Sequence, residues 1–253
     1  MSSELVAFII GPSPSIGPDL IATWKKNGYR VAVGSRTIDE EKEREEGNFP
    51  VKTDVMSSSS IVAAFETVAK GLGPPNIVAY NGTTHLCCLS QDYNQPNSSP
   101  EVSTFVQPSD LEDLLASLEF ESFQNSNAIG SGVFLAAQES LKAFRSPVHA
   151  SHVKSFIVTG NILPFVPATS PLFFCLALQK KIAAHTVEQL HHSYTKEKKG
   201  TDSIRFHFAH LASSDGSPYP LPVFKASGKA HAEAYWHLSN SDEPEEWEYR
   251  YVI

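Results

Sequence analysis

Val6-Ala7-Phe8-Ile9-Ile10-Gly11-Pro12-Ser13-Pro14-Ser15-Ile16-Gly17, near the start of the chain, decides the fold. Its five consecutive apolar residues suit a strand covered on both faces, as in a parallel sheet, and the glycines and prolines behind them end it at once. From Pro18 the pattern turns helical. Leu20, Ile21 and Trp24 share a face, and Asp19 lies in the first turn, where a carboxylate suits the positive end of the helix dipole. A glycine-bearing turn between a first strand and a helix N-terminus gathers backbone N–H groups around a phosphate, which is the dinucleotide-binding arrangement.

Outward from that stretch the alternation continues. Gly28 stops the first helix, and Tyr29 to Gly34 reads as a second buried strand ending in Ser35-Arg36, so strand, helix and strand close a βαβ unit. Residues 39–46 are acidic and read as a solvated helix or loop. Phe49 to Val55 is a third strand, followed by serines that cap a helix over Ile61 to Leu72. Asn76 to Gly82 is a fourth strand. Residues 85–108 are rich in Ser, Asn, Gln and Pro without sustained period and read as a long loop, a length seldom found without a function. Ser109 to Glu112 has capping-box spacing and opens a long helical region reaching Phe144. Val153 to Thr159, Ile204 to Phe208 and Trp247 to Ile253 read as the remaining strands, with helices over 171–194 and 228–238. The expected architecture is one domain over residues 1–253: an α/β, three-layer, doubly wound parallel sheet (Rossmann-like) of about seven strands. A lid-like segment is expected around residues 211–227.

Composition narrows the function. The 253 residues carry a net charge of -8, and their basic run, Lys196-Glu197-Lys198-Lys199, is short, which excludes a nucleic-acid or anionic-membrane surface. Cys87, Cys88 and Cys175 make neither a disulfide framework nor a zinc pattern, so no metal is expected. No apolar run approaches the ~18 residues of a membrane span, and a basic leader is absent, so a cytoplasmic location is expected. His85 beside the two cysteines, His191-His192, and His207 with His210 lack the geometry of a metal site.

With these landmarks in place, the chain resembles the short-chain dehydrogenase/reductase family over nearly its full length. Gly11 and Gly17 match the family's glycine turn, with Ser15 at its middle glycine; Asp54, followed by Val55, matches the Asp that contacts adenine. Tyr80-Asn81-Gly82-Thr83 is similar to the turn after the fourth strand, and Asn127 matches the helix Asn that holds a water in the proton relay. The resemblance implies an NADP(H) site formed by Gly11, Ser13, Ser15, Ile16, Gly17, Ser35, Arg36, Asp54, Val55, Asn81, Gly82 and Lys181. NADP is favoured over NAD because Ser35 and Arg36 can donate to a 2′-phosphate where an acidic residue would accept from a ribose hydroxyl.

The catalytic set implied by the resemblance is incomplete. The family's Ser falls at Gly160 or Asn161, and the Tyr falls at Ala177 if Lys181 is the matching lysine, or at Leu176 if it is Lys180. In either register the phenol that would protonate an alkoxide is absent. Asn127, Asn161 and Lys181 are the expected catalytic residues. Asn161 either polarises a substrate oxygen or closes the turn before Pro164, and Tyr194 or Tyr219 is a possible displaced donor. The expectation is an atypical NADP(H)-binding oxidoreductase acting on a small or medium carbonyl compound. The alternatives are a non-redox isomerase, lyase or cyclase on the same scaffold, or an NADP-binding sensor. The resemblance further implies a homodimer or homotetramer through the helices that carry Asn127 and Lys181.

Overall fold

A computed structural model describes residues 5–82, 120–167, 173–195, 203–217, 219–243 and 245–253. The expected long loop around 85–108, its His85, Cys87 and Cys88, and the capping box at 109–112 lie outside the described residues. In chain order the elements are β1 (Val6–Ile10), α1 (Gly17–Lys26), β2 (Arg30–Ser35), α2 (Glu40–Glu45), β3 (Phe49–Lys52), α3 (Ser58–Gly71) and β4 (Ile77–Tyr80). They continue with α4 (Phe120–Phe144), β5 (Lys154–Thr159), α5 (Phe174–Tyr194), β6 (Ile204–Leu211), α6 (Leu221–Lys225), α7 (Gly228–Asn240) and β7 (Glu248–Tyr251). A 3-10 turn over Pro147–His149 precedes β5.

The strands form one parallel sheet in the order β3-β2-β1-β4-β5-β6-β7. All of β1 is buried, as its apolar run demands of a central strand covered on both faces. Alternate residues of the strands feed two cores. On one face Phe8, Val78, Phe156 and Phe206 meet α3, α4 and α5; on the other Ile9, Ala79, Ile157 and Ala209 meet α1 and α7. The three layers follow directly. Proline at position 50 is tolerated because β3 is an edge strand, where a missing N–H breaks no inner ladder.

Local capping agrees with the sequence. Ser57 accepts from the Ser60 N–H at 3.3 Å at the head of α3, and Asp39 accepts from the Lys42 N–H at 3.1 Å at the head of α2. α1 buries Leu20 and Trp24, while Asp19 stays exposed in its first turn. The sixth strand continues three residues past Phe208 to Leu211, because Ala209, His210 and Leu211 find partners on β7. Only after it does the segment around 211–227 begin, with a turn over 213–217 held by the Ser213 N–H on Ser217 O at 2.9 Å, and α6 further on.

Strand order reverses between β1 and β4, whose outer neighbours are β2 and β5. In a doubly wound sheet this switch point opens a crevice beyond the C-terminal strand ends. Everything the sequence singled out for binding follows a strand at that end of the sheet or lies on a helix beside it.

Candidate functional site

The two turns that meet at the switch point touch each other. Gly11 has φ +74°, a left-handed conformation that suits glycine, and a Cβ there would lie 3.1 Å from the backbone of Gly82. Asn81 locks the contact: its side-chain amide donates to Gly11 O at 2.6 Å and its backbone N–H to Ile10 O at 2.8 Å. This residue therefore ties β4 to β1 and holds the floor of the crevice. Gly17 is confined as well, since a Cβ would come 2.7 Å from Pro12 Cβ.

The turn itself has an unusual donor set. Pro12, Pro14 and Pro18 have no N–H, and the N–H groups of Ile16 and Gly17 both donate to Ser13 O, at 3.2 and 2.8 Å. Ile16, expected at the nucleotide, instead buries its side chain in the core beneath α1. What remains for a phosphate are the amides of Ser13 and Ser15 and their two hydroxyls, which lie 3.2 Å apart. A pyrophosphate fits this turn through two hydroxyls and two amides, with fewer amides than a glycine-rich turn would offer.

At the end of β2, Ser35 Oγ accepts from the Thr37 N–H at 3.3 Å and Arg36 is exposed beside it. Asp54 Oδ1 accepts from the Met56 N–H at 2.9 Å, and the Asp54 N–H donates to Ser60 Oγ at 2.9 Å, so a turn fixes this carboxylate at the end of β3. Val55 packs against the front core and its carbonyl faces Gly132 of α4. Tyr80 is packing: it is fully buried, donates to Ile129 O at 3.3 Å, and burial pushes its phenol up.

At the end of β5 the two lysines weighed from the sequence separate. Lys181 is exposed on α5, whereas its neighbour Lys180 is buried and donates from Nζ to Thr159 O at 2.8 Å. Burial without a carboxylate pulls the Lys180 ammonium down to about 7. Lys180 is thus the lysine at the strand ends, and the position one turn before it, where a phenol would stand, holds the buried Leu176. Asn161 Oδ1 accepts from the Leu163 N–H at 3.1 Å, which closes the turn after β5 and leaves the side-chain NH2 as its polarising group. A Cβ on Gly160 would run into the ring of Phe208, so of the two places weighed for the missing hydroxyl only 161 has room for a side chain. Asn127 is half-buried on α4.

The displaced phenols also separate. Tyr219 accepts from the Ile253 N–H at 3.2 Å and packs with the opposite core, and Tyr194 packs on Phe206 toward the start of β6. The phenol that does reach the end of β5 is Tyr235 of α7, which donates to Thr159 Oγ1 at 2.6 Å from the back core. His210 at the end of β6 is a second such group, weighed from the sequence only as a metal ligand. It lies fully buried, with Nε2 3.0 Å from Glu248 Oε1 and its ring stacked on Phe165 at 5.3 Å. The signal was present: Phe206, Phe208 and His210 alternate onto one face of a strand. Among the described residues no group of three His, Cys, Asp or Glu side chains is placed to hold a metal ion. No described helix is long and apolar enough to cross a membrane.

The sheet order, the switch-point turns and the polar groups at the end of β5 define a doubly wound α/β protein of the dinucleotide-binding architecture. More narrowly, its fold is that of the short-chain dehydrogenases. A short-chain dehydrogenase/reductase from Serratia marcescens superposes with a TM-score of 0.67 at 14% identity, covering 100% of this chain and 97% of that one. A short-chain dehydrogenase from Rhodopseudomonas palustris gives 0.64 at 13%, covering 98% of both chains. An alcohol dehydrogenase from Thermococcus sibiricus, solved in complex with 5-hydroxy-NADP, gives 0.65 at 18%, covering 98% of this chain and 95% of that one. No protein-family profile matches the sequence, and no curated protein matches it either. At these identities the likeness is one of fold.

Proposed function

We propose that this chain is an atypical NADP(H)-dependent oxidoreductase that interconverts a small or medium carbonyl compound and its alcohol. The observation that carries the reading is Lys180: a buried amine at the end of β5, on the core side of α5, beside the Asn161 turn. A buried amine held by one backbone carbonyl is costly to keep, and its place suits the hydroxyls of a nicotinamide ribose. The Thermococcus sibiricus structure and a metagenomic short-chain oxidoreductase, solved with 5-hydroxy-NADP and NADP respectively, support the choice of cofactor.

In this reading Ser13 and Ser15 hold the pyrophosphate, Ser35 and Arg36 the 2′-phosphate, and Asp54 with Val55 borders the adenine. Gly11, Gly17, Asn81 and Gly82 shape the floor, and Ile16 supports it from below. The bound nicotinamide supplies or accepts a hydride. Lys180 orients the ribose, and Asn161 donates from its amide to the substrate oxygen. Asn127 holds a water near that oxygen. A homodimer through α4 and α5 is part of the proposal, since Phe134 of α4 is 55% exposed and Phe174 of α5 is 37% exposed.

One observation favours a second reading. Leu176 where a phenol would stand suits a non-redox isomerase, lyase or cyclase that uses the same crevice. Fluorescence titration with NADPH and NADH, followed by absorbance at the nicotinamide band with a panel of ketones, enones and secondary alcohols, separates the two. Tighter NADPH binding and consumption of cofactor are expected. Arg36→Ala should weaken NADPH about tenfold while leaving NADH nearly unchanged, given roughly 1–2 kcal/mol for a charge-assisted phosphate contact. Equal losses would remove the 2′-phosphate assignment. Failure to bind either nucleotide would overturn the oxidoreductase.

A further inference from the structure

His210 occupies a position that the oxidoreductase reading leaves without a task. The β5–β6 register pairs Thr159 with Ala209, and the Gly160 N–H donates to Ala209 O at 2.8 Å. The next residue of β6, His210, therefore sits beside Gly160 and the turn that carries Asn161. Phe165, at the end of that turn, stacks on the imidazole with an interplanar angle of 23°, and Phe208 tilts against it at 6.1 Å. Glu248 of β7 holds the far side of the ring, with Oε1 3.0 Å from Nε2, and Arg250 Nη2 donates to the same oxygen at 3.1 Å.

The ring is oriented but only half used. A carboxylate accepts, so the Nε2–H tautomer is fixed and Nδ1 is left with a lone pair. Nδ1 is buried and has no hydrogen-bond partner among the described residues. An unsatisfied buried acceptor is costly, and a carboxylate that aims a histidine is the pattern of an acid–base pair. An acceptor left open beside the Asn161 turn is suited to a hydroxyl donor.

We propose that His210, aimed by Glu248, is the acid–base residue of this site, its Nδ1 exchanging the proton of the substrate's hydroxyl oxygen. The assignment rests on the oxidoreductase reading and supplies the proton step that Leu176 leaves open. In alcohol oxidation the O–H proton passes to Nδ1, the O–H electron pair becomes the carbonyl π bond, and the hydride leaves the carbon for the oxidised nicotinamide. The resulting imidazolium keeps its Nε2–H on Glu248 and releases the Nδ1 proton to solvent. Reduction runs the same transfers backwards.

Burial lowers the basicity of His210, Glu248 partly restores it, and Arg250 opposes Glu248. The ring is therefore neutral at pH 7, ready to accept a proton. Oxidation should fall as pH drops through this depressed pKa, and reduction should rise over the same interval.

The test uses the full chain labelled with 15N at the histidine rings. NMR should show His210 as the Nε2–H tautomer with a pKa below 6.5, and Glu248→Gln should lower that pKa further. Addition of NADP+ with 2,2,2-trifluoroethanol, an alcohol that resists oxidation, should move the Nδ1 resonance upfield as the lone pair accepts the hydroxyl. The Kd for NADP+ of His210→Gln should stay within about twofold of wild type. An Nδ1–H tautomer, or an Nδ1 resonance that does not move in the ternary complex while NADP+ is seen to bind, would overturn the assignment alone. Absence of NADP+ binding would overturn the oxidoreductase reading and the assignment with it.

Discussion

Replacing Lys180 by methionine should remove a pH-dependent penalty on stability. In the unfolded chain this amine titrates near its ordinary 10.5, and in the fold burial lowers it to about 7. Between these values the unfolded state binds more protons, so stability rises with pH, and the penalty is largest below the folded pKa, where the fold must bury an ammonium. The gap of 10.5 − 7 = 3.5 units sets a ceiling of roughly 5 kcal/mol on the penalty. Integrated over the titration, wild type should gain about 2 kcal/mol relative to Lys180→Met on going from pH 7 to pH 9. For a domain of this size that corresponds to about 4–8 °C in Tm. The methionine variant loses the 2.8 Å bond to Thr159 O, worth about 1 kcal/mol, yet at pH 7 it should still be the more stable protein. Urea unfolding of both proteins at pH 6, 7, 8 and 9 reads the difference directly, with the variant cancelling every other titration. The same variant should bind NADPH more weakly, which is the pattern of a group kept for binding at the expense of stability. A constant difference across pH, with wild type the more stable throughout, would refute both the buried-amine geometry and the role built on it.

Two other substitutions probe the geometry of the site and its surroundings. Gly160→Ala places a Cβ against Phe208, whose Cδ1 and Cζ lie 2.6 and 2.7 Å from that point in a fully buried ring. Overpacking of this kind costs about 1–3 kcal/mol, or about 2–12 °C in Tm, and Gly160→Ala/Phe208→Leu should lose less than the sum of the single changes; an alanine variant as stable as wild type would mean that the β5 turn is not packed this way. Phe134→Glu sits on the exposed side of α4 and should convert a dimer to a monomer in light scattering without lowering Tm by more than about 2 °C; an unchanged mass would remove α4 from the interface.

The scaffold was legible because its signals are local and repeated. The apolar run at Val6, the strand at Val153 and the glycine and proline stops between them each carry the same message, and parallel strands buried on both faces leave few alternatives. The lysine register was less plain, because Lys180 and Lys181 are chemically identical and only their angular positions on α5 differ. The apolar stripe through Ala183, Ala184 and Val187 does extend back through Lys180 to Leu176, so spacing puts Lys180 on the buried face, while the family-like Lys-x-Ala string points to its exposed neighbour. Partners from distant elements were not legible at all. Tyr235 meets Thr159 across 76 positions and Glu248 meets His210 across 38, and neither pairing follows from any local pattern.

In the proposed reading, that division lets the chemistry of this crevice depart from its scaffold. The positions that shape the fold, Gly11, Asn81 and the buried faces of β1 and β5, are fixed by close approach and cannot drift without loss of the sheet. The groups that would act on a substrate are held by long-range contacts, which leave each place free to change so long as another element supplies the chemistry. Leu176 on α5 offers no donor, and the group proposed for that task, His210, stands on β6 with Glu248 of β7 beside it. The phosphate turn follows the same logic on a smaller scale: three prolines and an inward Ser13 carbonyl remove amide donors, and the Ser13 and Ser15 hydroxyls stand in their place. A side-chain hydroxyl is a weaker and more mobile donor than a fixed amide, so in the proposed site affinity for NADP(H) should depend more heavily on the charge of Arg36 than it would where a full cradle of amides faced the pyrophosphate.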